Sequence, residues 1–437
     1  MDKYWEKAAS LLPFCNRIEV VHMASADTIL AADGTPLRKK LAQSLFRSRV
    51  RAFGLVLPLL ALVISSFVIP IISMLSQSVI DDRFSSLMPT ITEELATWDG
   101  YSAPTEAMAA ALVSDLISAR KSRTIGQVAT RVNRELSGSR SLFTSTARSA
   151  GKFKPPYIAA LTKKDKDWAD IKTWQAMKIV SQSITASFVA NAVDLRVNVG
   201  GSLELQEESR RIHVFLFMRT LEISFIVTVA CLFLGYPIAY LLANLPLRTS
   251  NLLLILVLMP FWTSLLVRTT AWIAMLQAEG VMNDLFVTFG VTTDDQRFSL
   301  IYNKTGTLIA MIHIMLPFMI LPLFSVMKTI SPSYVRAAKS MGATNWTAFW
   351  KVYFPQSIPG IGAGALLVFI LAIGYYITPA LVGGQDGQMI SNFIDFHMRK
   401  SLNWNLAAAL GLVLTIFVLF LFWIYDRIVG IDNMKLG

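Results

Sequence analysis

Few residues in this chain have the types and spacing that chemistry requires. The four histidines, His22, His213, His313 and His397, are scattered without metal-ligand spacing, and His313 reads as a packed or hydrogen-bonded helix residue rather than a proton relay. Of the two cysteines, Cys15 lies near the amino terminus and Cys231 inside an apolar stretch, so neither a disulfide framework nor a thiolate metal site is expected. No G-x-x-x-x-G-K-[ST] loop occurs, and the chain is expected not to hydrolyse nucleotide itself. The fragment LSGSR from Leu136 reads as a turn. No Ser-His-Asp or paired-carboxylate arrangement can be assembled, and the expectation is a protein without catalytic residues, metal or cofactor of its own. Polar groups inside apolar stretches remain: Thr263, Ser264, Arg268, Thr269 and Thr270 in one, Tyr375, Tyr376 and Thr378 in another. At membrane depth such groups are buried in protein or line water, which would make them a path for a polar solute. The alternative is structural, with Arg268 snorkelling or paired and the threonines bonded back to their own helix. Both readings stand at this point.

The elements that must position these groups follow from composition. The chain has 437 residues, 54% hydrophobic and only 16% charged, where a soluble protein has about 25% charged; mean hydropathy is +0.51. Six stretches reach the ~20 apolar residues that cross a bilayer: 52–75, 220–243, 251–275, 305–327, 358–383 and 404–425. Glu222 and Arg268 are the charged exceptions within them. The fold class expected is an all-α membrane protein with six transmembrane helices.

Nothing early resembles a cleavable leader, so 52–75 is expected to be an uncleaved first crossing. Arg38, Lys39, Lys40, Arg47, Arg49 and Arg51 precede it without an acid and place the amino-terminal extension 1–51 in the cytoplasm. Six crossings return the carboxyl terminus to the same side. The basic Lys328–Lys351 segment and the acidic Glu279–Lys304 segment agree with those sides. The net charge of +11 therefore points to topology, not to nucleic acid. Residues 76–211 form an extracytoplasmic domain read as mainly helical, with helices opening at Pro104, over Thr124–Leu136 and over Asp165–Ser183. Met108, Leu112, Leu116, Ile117, Trp168, Ile171, Met177 and Val180 are its candidate core. Ser137–Ser149 and Asn198–Ser202 read as connections. The domain is either a cap on its own membrane part or a docking surface for another protein.

The segment SYVRAAKSMGATNWTAFWKVYFPQSIPGIGAG, from Ser333 to Gly364, reads as two helices about a glycine corner. Tyr334–Met341 forms the first, Gly342 interrupts, and Thr344 or Asn345 caps a second running through Tyr353 before Pro355 and Pro359. Ala337 and Ala338 give a small flat face, with Trp346, Phe349 and Trp350 at the membrane boundary.

This pattern resembles the EAA motif of type I ATP-binding-cassette importer permeases, on Arg336, Ala337, Ala338, Gly342, Ala343, Phe349, Val352, Pro355 and Pro359. Arg336 departs from the glutamate usual at the first position. LFLGYPIAYLLANLP, MPFWTSLLVRTTAWIAML and YYITPALVGG are similar to the spermidine/putrescine-type permease subgroup, and the resemblance covers about half the chain. It implies a permease core over 212–437 with a coupling loop at 330–358, in a bacterial inner membrane. Its partners would be a cytoplasmic ATPase dimer that carries ATP and Mg, a second permease subunit (a heterodimer ahead of a homodimer), and a periplasmic solute-binding protein. The solute would be a polyamine or an amino-acid-like or opine-like compound. A membrane sensor and an ion-driven secondary transporter are the other classes consistent with the topology.

Overall fold

The structure is a computed structural model describing residues 37–429. Cys15, His22 and the rest of 1–36, with 430–437, lie outside the described residues, as does most of the basic extension assigned above. The described chain divides into two units, at Ser73 and Met74.

The first unit is a helix, Leu37–Val63, that passes through a π-turn at Ile64–Val68 into Ile69–Ser76. Over 52–72 its flanks are largely apolar and exposed all round, with Leu55 at 83% and Phe67 at 60%, the surface expected of a segment bathed in lipid. The π-turn closes with Ile69 N donating to Ile64 O, immediately before Pro70. Proline cannot donate and crowds the carbonyl four residues back, so a widened turn ahead of it relieves the clash.

In the second unit, residues 74–211 build a helical domain around its own core. Phe143, Trp168 and Trp174 stack at its centre, Trp168 Nε1 donates to Thr146 Oγ1 at 2.9 Å, and Trp174 Nε1 to Trp168 O at 3.0 Å. Several sequence expectations change in detail. Pro104 lies outside its helix, which spans Glu106–Lys121 and is capped by Thr105. Ile117 is exposed at 42%, because the buried stripe runs through Met108, Leu112 and Leu116 instead. Asp165–Ser183 is split in two, since Asp170 accepts from Lys172 N and starts a fresh helix, Ile171–Ser181. Ser137–Ser149 is a helix from Ser139 onward, not a connection: the Asn133 side chain accepts from Gly138 N and Arg140 N, and Leu142, Phe143 and Ala147 are buried. A small antiparallel hairpin, Leu195–Val197 with Leu203–Leu205, closes over the Asn198–Ser202 turn.

The membrane part contains helices His213–Asn244, Lys304–Thr329, Asn345–Gly374 and Trp404–Val429. The third apolar stretch is not one straight helix. Leu247–Trp262 and Leu265–Thr288 meet at 93°, and counting that bent pair as one span brings the crossings to six. Pro260 and the extended backbone at Thr263 and Ser264 break it. The fifth stretch also moves: its helix begins inside the 330–358 loop and ends at Gly374, with a separate short helix at Ile377–Val382. Helix Lys304–Thr329 sits centrally against His213–Asn244 and Phe354–Gly374. At Gly364 an added Cβ would meet Met319 Sδ at 2.8 Å and Met319 O at 3.1 Å, so glycine there sets how closely these helices pack.

The domain 74–211 grips the later helices at several points. Asp194, remote in sequence, caps His213–Asn244 by accepting from His213 N at 3.0 Å and Val214 N at 2.8 Å. Such a carboxylate also suits the positive end of the helix dipole. Phe188 and Ala192 pack on Ala409 and Leu410 of the last span, Asn405 Nδ2 donates to Gln77 O and Ile80 O, and Arg134 donates to Leu402 O. Arg131, buried, pairs with Asp81 at 2.6 Å and lies 4.8 Å over the Phe188 ring.

Candidate coupling corner and membrane path

The corner begins at Ser331, whose hydroxyl accepts from Ser333 N, with Pro332 in the first helical turn of Pro332–Ser340. The helix ends in a Schellman arrangement: Gly342 N donates to Lys339 O at 2.9 Å and Ala343 N to Ala338 O at 3.1 Å. Gly342 takes φ +89°, the left-handed region that costs a residue with Cβ about 1 kcal/mol. Space around it is open: an added Cβ meets nothing within 4 Å. Thr344 Oγ1 then accepts from Thr347 N and starts Asn345–Ala348.

The second helix does not stop before Pro355 and Pro359. It widens into a π-turn over Phe349–Tyr353, with Phe354 N donating to Phe349 O, and runs on through both prolines to Gly374. As at Pro70, the wide turn ends on the residue before a proline. The corner is therefore rigidly continuous with a membrane span.

The nine motif positions divide by face. Arg336, Ala337, Gly342 and Pro355 are exposed, and Ala338, Ala343, Phe349, Val352 and Pro359 are half-buried. Phe349 points inward. Its ring meets Tyr236 at 6.3 Å and Tyr240 at 5.7 Å, both on His213–Asn244, and stacks on Tyr353 at 6.0 Å. Tyr236 Oη hydrogen-bonds Ser357 Oγ at 3.0 Å. These two tyrosines escaped the sequence reading, although both lie within LFLGYPIAYLLANLP. Lys328 Nζ donates to Ala243 O, so the corner lies at the Asn244 end of the helix whose His213 end holds the domain 74–211. The two are at opposite ends of the bundle.

The polar groups of the membrane part gather only in part. Thr263 and Ser264 are exposed at the bend, where Thr263 Oγ1 donates to Pro260 O and Ser264 Oγ accepts from Val267 N. Thr270 bonds back to Leu266 O and Val267 O. Thr269 Oγ1 donates to Leu265 O and stands 3.3 Å from Thr378 Oγ1, joining the third and fifth stretches. Arg268 Nε and Nη1 are buried without a hydrogen-bond partner, and the guanidinium lies within electrostatic reach of His313 and Tyr375. Trp272, one turn after Arg268, donates Nε1–H to His313 Nδ1 at 3.1 Å, a contact that spacing along the chain could not pair. Tyr376 is drawn away from this group: Asn392 Nδ2 donates to its carbonyl at 2.7 Å and Arg399 to its hydroxyl at 3.2 Å.

Residues 235–430 match the family described as binding-protein-dependent transport system inner membrane component. The chain is 33% identical over 218 residues to the spermidine/putrescine transport system permease protein PotB of Escherichia coli K12, covering 50% of this chain and 78% of that one. The chain belongs to this permease family. The inner membrane ABC transporter permease protein YdcU of the same organism is 31% identical over 208 residues, 45% of this chain and 66% of that one. Among solved structures, a bacterial ABC transporter involved in the import of the acidic polysaccharide alginate gives a TM-score of 0.42 at 17% identity, over 51% of this chain and 81% of that one. The family match begins at Gly235, so the domain 74–211 lies outside it. A permease is a transport component of the membrane and not itself an enzyme, with multiple crossings.

Proposed function

We propose that this permease is one half of the membrane channel of an ATP-driven importer, working with a second, homologous permease, a cytoplasmic ATPase pair that binds ATP and Mg, and an external solute-binding protein. The observation that carries this reading is the exposed corner at Gly342, continuous with one span through Phe354 and tied to another through Phe349 and Tyr240. A surface fixed to two spans at once can convert closure of an ATPase pair into rotation of the helices, giving alternating access. Both termini would then be cytoplasmic and the domain 74–211 external.

The solute is a small polar organic compound. PotB, by its name, serves spermidine and putrescine, which puts a polyamine ahead of amino-acid-like or opine-like zwitterions here. Thr269, Thr378, Tyr375 and Arg268 form the candidate path. In the reconstituted transporter Gly342→Asp is expected to abolish solute-stimulated ATPase activity and uptake while membrane insertion and yield stay normal. Wild-type uptake by that variant would remove the coupling assignment.

A further inference from the structure

Outside the family match, the external domain holds a cavity of about 500 Å³ whose lining carries charges of both signs. Glu135 and Glu207 face it together with Lys172, Arg196 and Arg211, and Ile179 and Leu205 supply apolar wall. Glu135 is the unusual group. Its side chain is only 8% exposed, and its ion-pair partner Arg131 stands 3.7 Å away while committed to Asp81 at 2.6 Å. Burial pushes the Glu135 carboxyl above its ordinary range against the pull of Arg131 first, and of Arg196 and Arg210 beyond it. A buried carboxylate with so weakly committed a partner favours an ammonium that can approach it directly.

The cations across the cavity are equally uncommitted. Arg196 meets Glu204 only at 3.8 Å with both side chains about half exposed, Arg211 spends one N–H on Gln206 O, and the Lys172 ammonium has no partner among the described residues. We propose that this cavity binds a small amino-acid-like zwitterion, its ammonium at Glu135 and its carboxylate among Lys172, Arg196 and Arg211, at a site separate from the membrane path. Three cations against two carboxylates disfavour a polyamine, which carries no anion to satisfy them.

The walls of the cavity are also the elements that hold the spans. Glu135 ends the helix whose Arg134 donates to Leu402 O, and Arg196 lies in the first strand of the hairpin that follows Asp194, the cap of His213–Asn244. A ligand bridging Glu135 to Arg196 links those two attachments, and occupancy thereby adjusts how firmly the domain holds the second and last spans.

The test is calorimetric titration of the full chain in lipid nanodiscs with L-glutamine, L-glutamate and, as contrast, spermidine. Saturable one-to-one binding of either amino acid is expected, weakened about tenfold or more by Arg196→Ala and by Glu135→Gln, and unchanged by Thr378→Val in the membrane path. Arg196 is half exposed, so its variant keeps the test decisive where Glu135→Gln fails to fold. Three results would overturn the proposal: no amino-acid binding up to about 10 mM, binding indifferent to Arg196→Ala, or spermidine binding that depends on Glu135. Because Arg196 and Glu135 lie outside the membrane path, dependence of binding on them is read independently of which solute the transporter carries.

Discussion

Phe349 is where the motif meets mechanics. Truncating it to alanine removes edge contacts to Tyr236 and Tyr240 and should lower stability by about 2 kcal/mol. It should also leave basal ATPase activity in place while cutting uptake, a divergence readable by assaying both in proteoliposomes. The residue types at the corner were readable in advance, because a left-handed glycine and a threonine cap leave distinct marks in sequence. The direction in which Phe349 faces was not, since Tyr236 is more than a hundred residues away. A second residue-scale consequence sits at the outer joint. His397 has its pKa lowered to about 4 by desolvation first, then by His213 and Arg134. A histidine depressed in the folded state favours folding above its unfolded value near 6.5 and loses that contribution as pH falls toward 4. Thermal unfolding should therefore show midpoints dropping between pH 6.5 and 4, with a shallower drop in His397→Asn.

Among the elements, four of the six apolar stretches could be placed from hydropathy to within about two turns, because burying about 20 apolar residues leaves few alternatives. What hydropathy cannot see is direction. The bend at Thr263 and Ser264 is made by a proline, an extended pair and a hydroxyl cap, all local hydrogen-bond choices inside a stretch whose apolar content never changes. Ser264→Ala removes the cap of Leu265–Leu276 and should cost about 1 kcal/mol, seen as a lowered melting temperature, with Ser264→Asp holding most of it. The same blindness hid the Ser139–Ser149 helix, where serine-rich composition suggested a linker and the capping came from Asn133. It also hid the wide turns before Pro70 and Pro355, which let a helix pass a proline without ending.

For the whole molecule, a set of apolar helices and a separate helical domain between the first two of them could be read from chain length and hydropathy, whereas the attachments between that domain and the later helices could not. Asp194 with His213, Arg134 with Leu402 and Phe188 with Leu410 pair residues far apart in sequence by charge and shape alone. Asp194→Ala should loosen the domain and speed amide exchange at the start of His213–Asn244, measured by hydrogen–deuterium exchange. The entering and leaving chains of the domain pair with each other: Ile80 bridges Ile184, Asp81 N donates to Ser183 O and Thr185 N to Val79 O. The chain thus enters and leaves the large core between Phe84 and Val180 at adjacent points, and Arg131 and Arg134 add side-chain ties from that core. Such a module is a graft with adjacent stumps: residues 82–183 can be excised and replaced by a two- or three-residue turn, or exchanged for a reporter, without pulling the membrane helices apart.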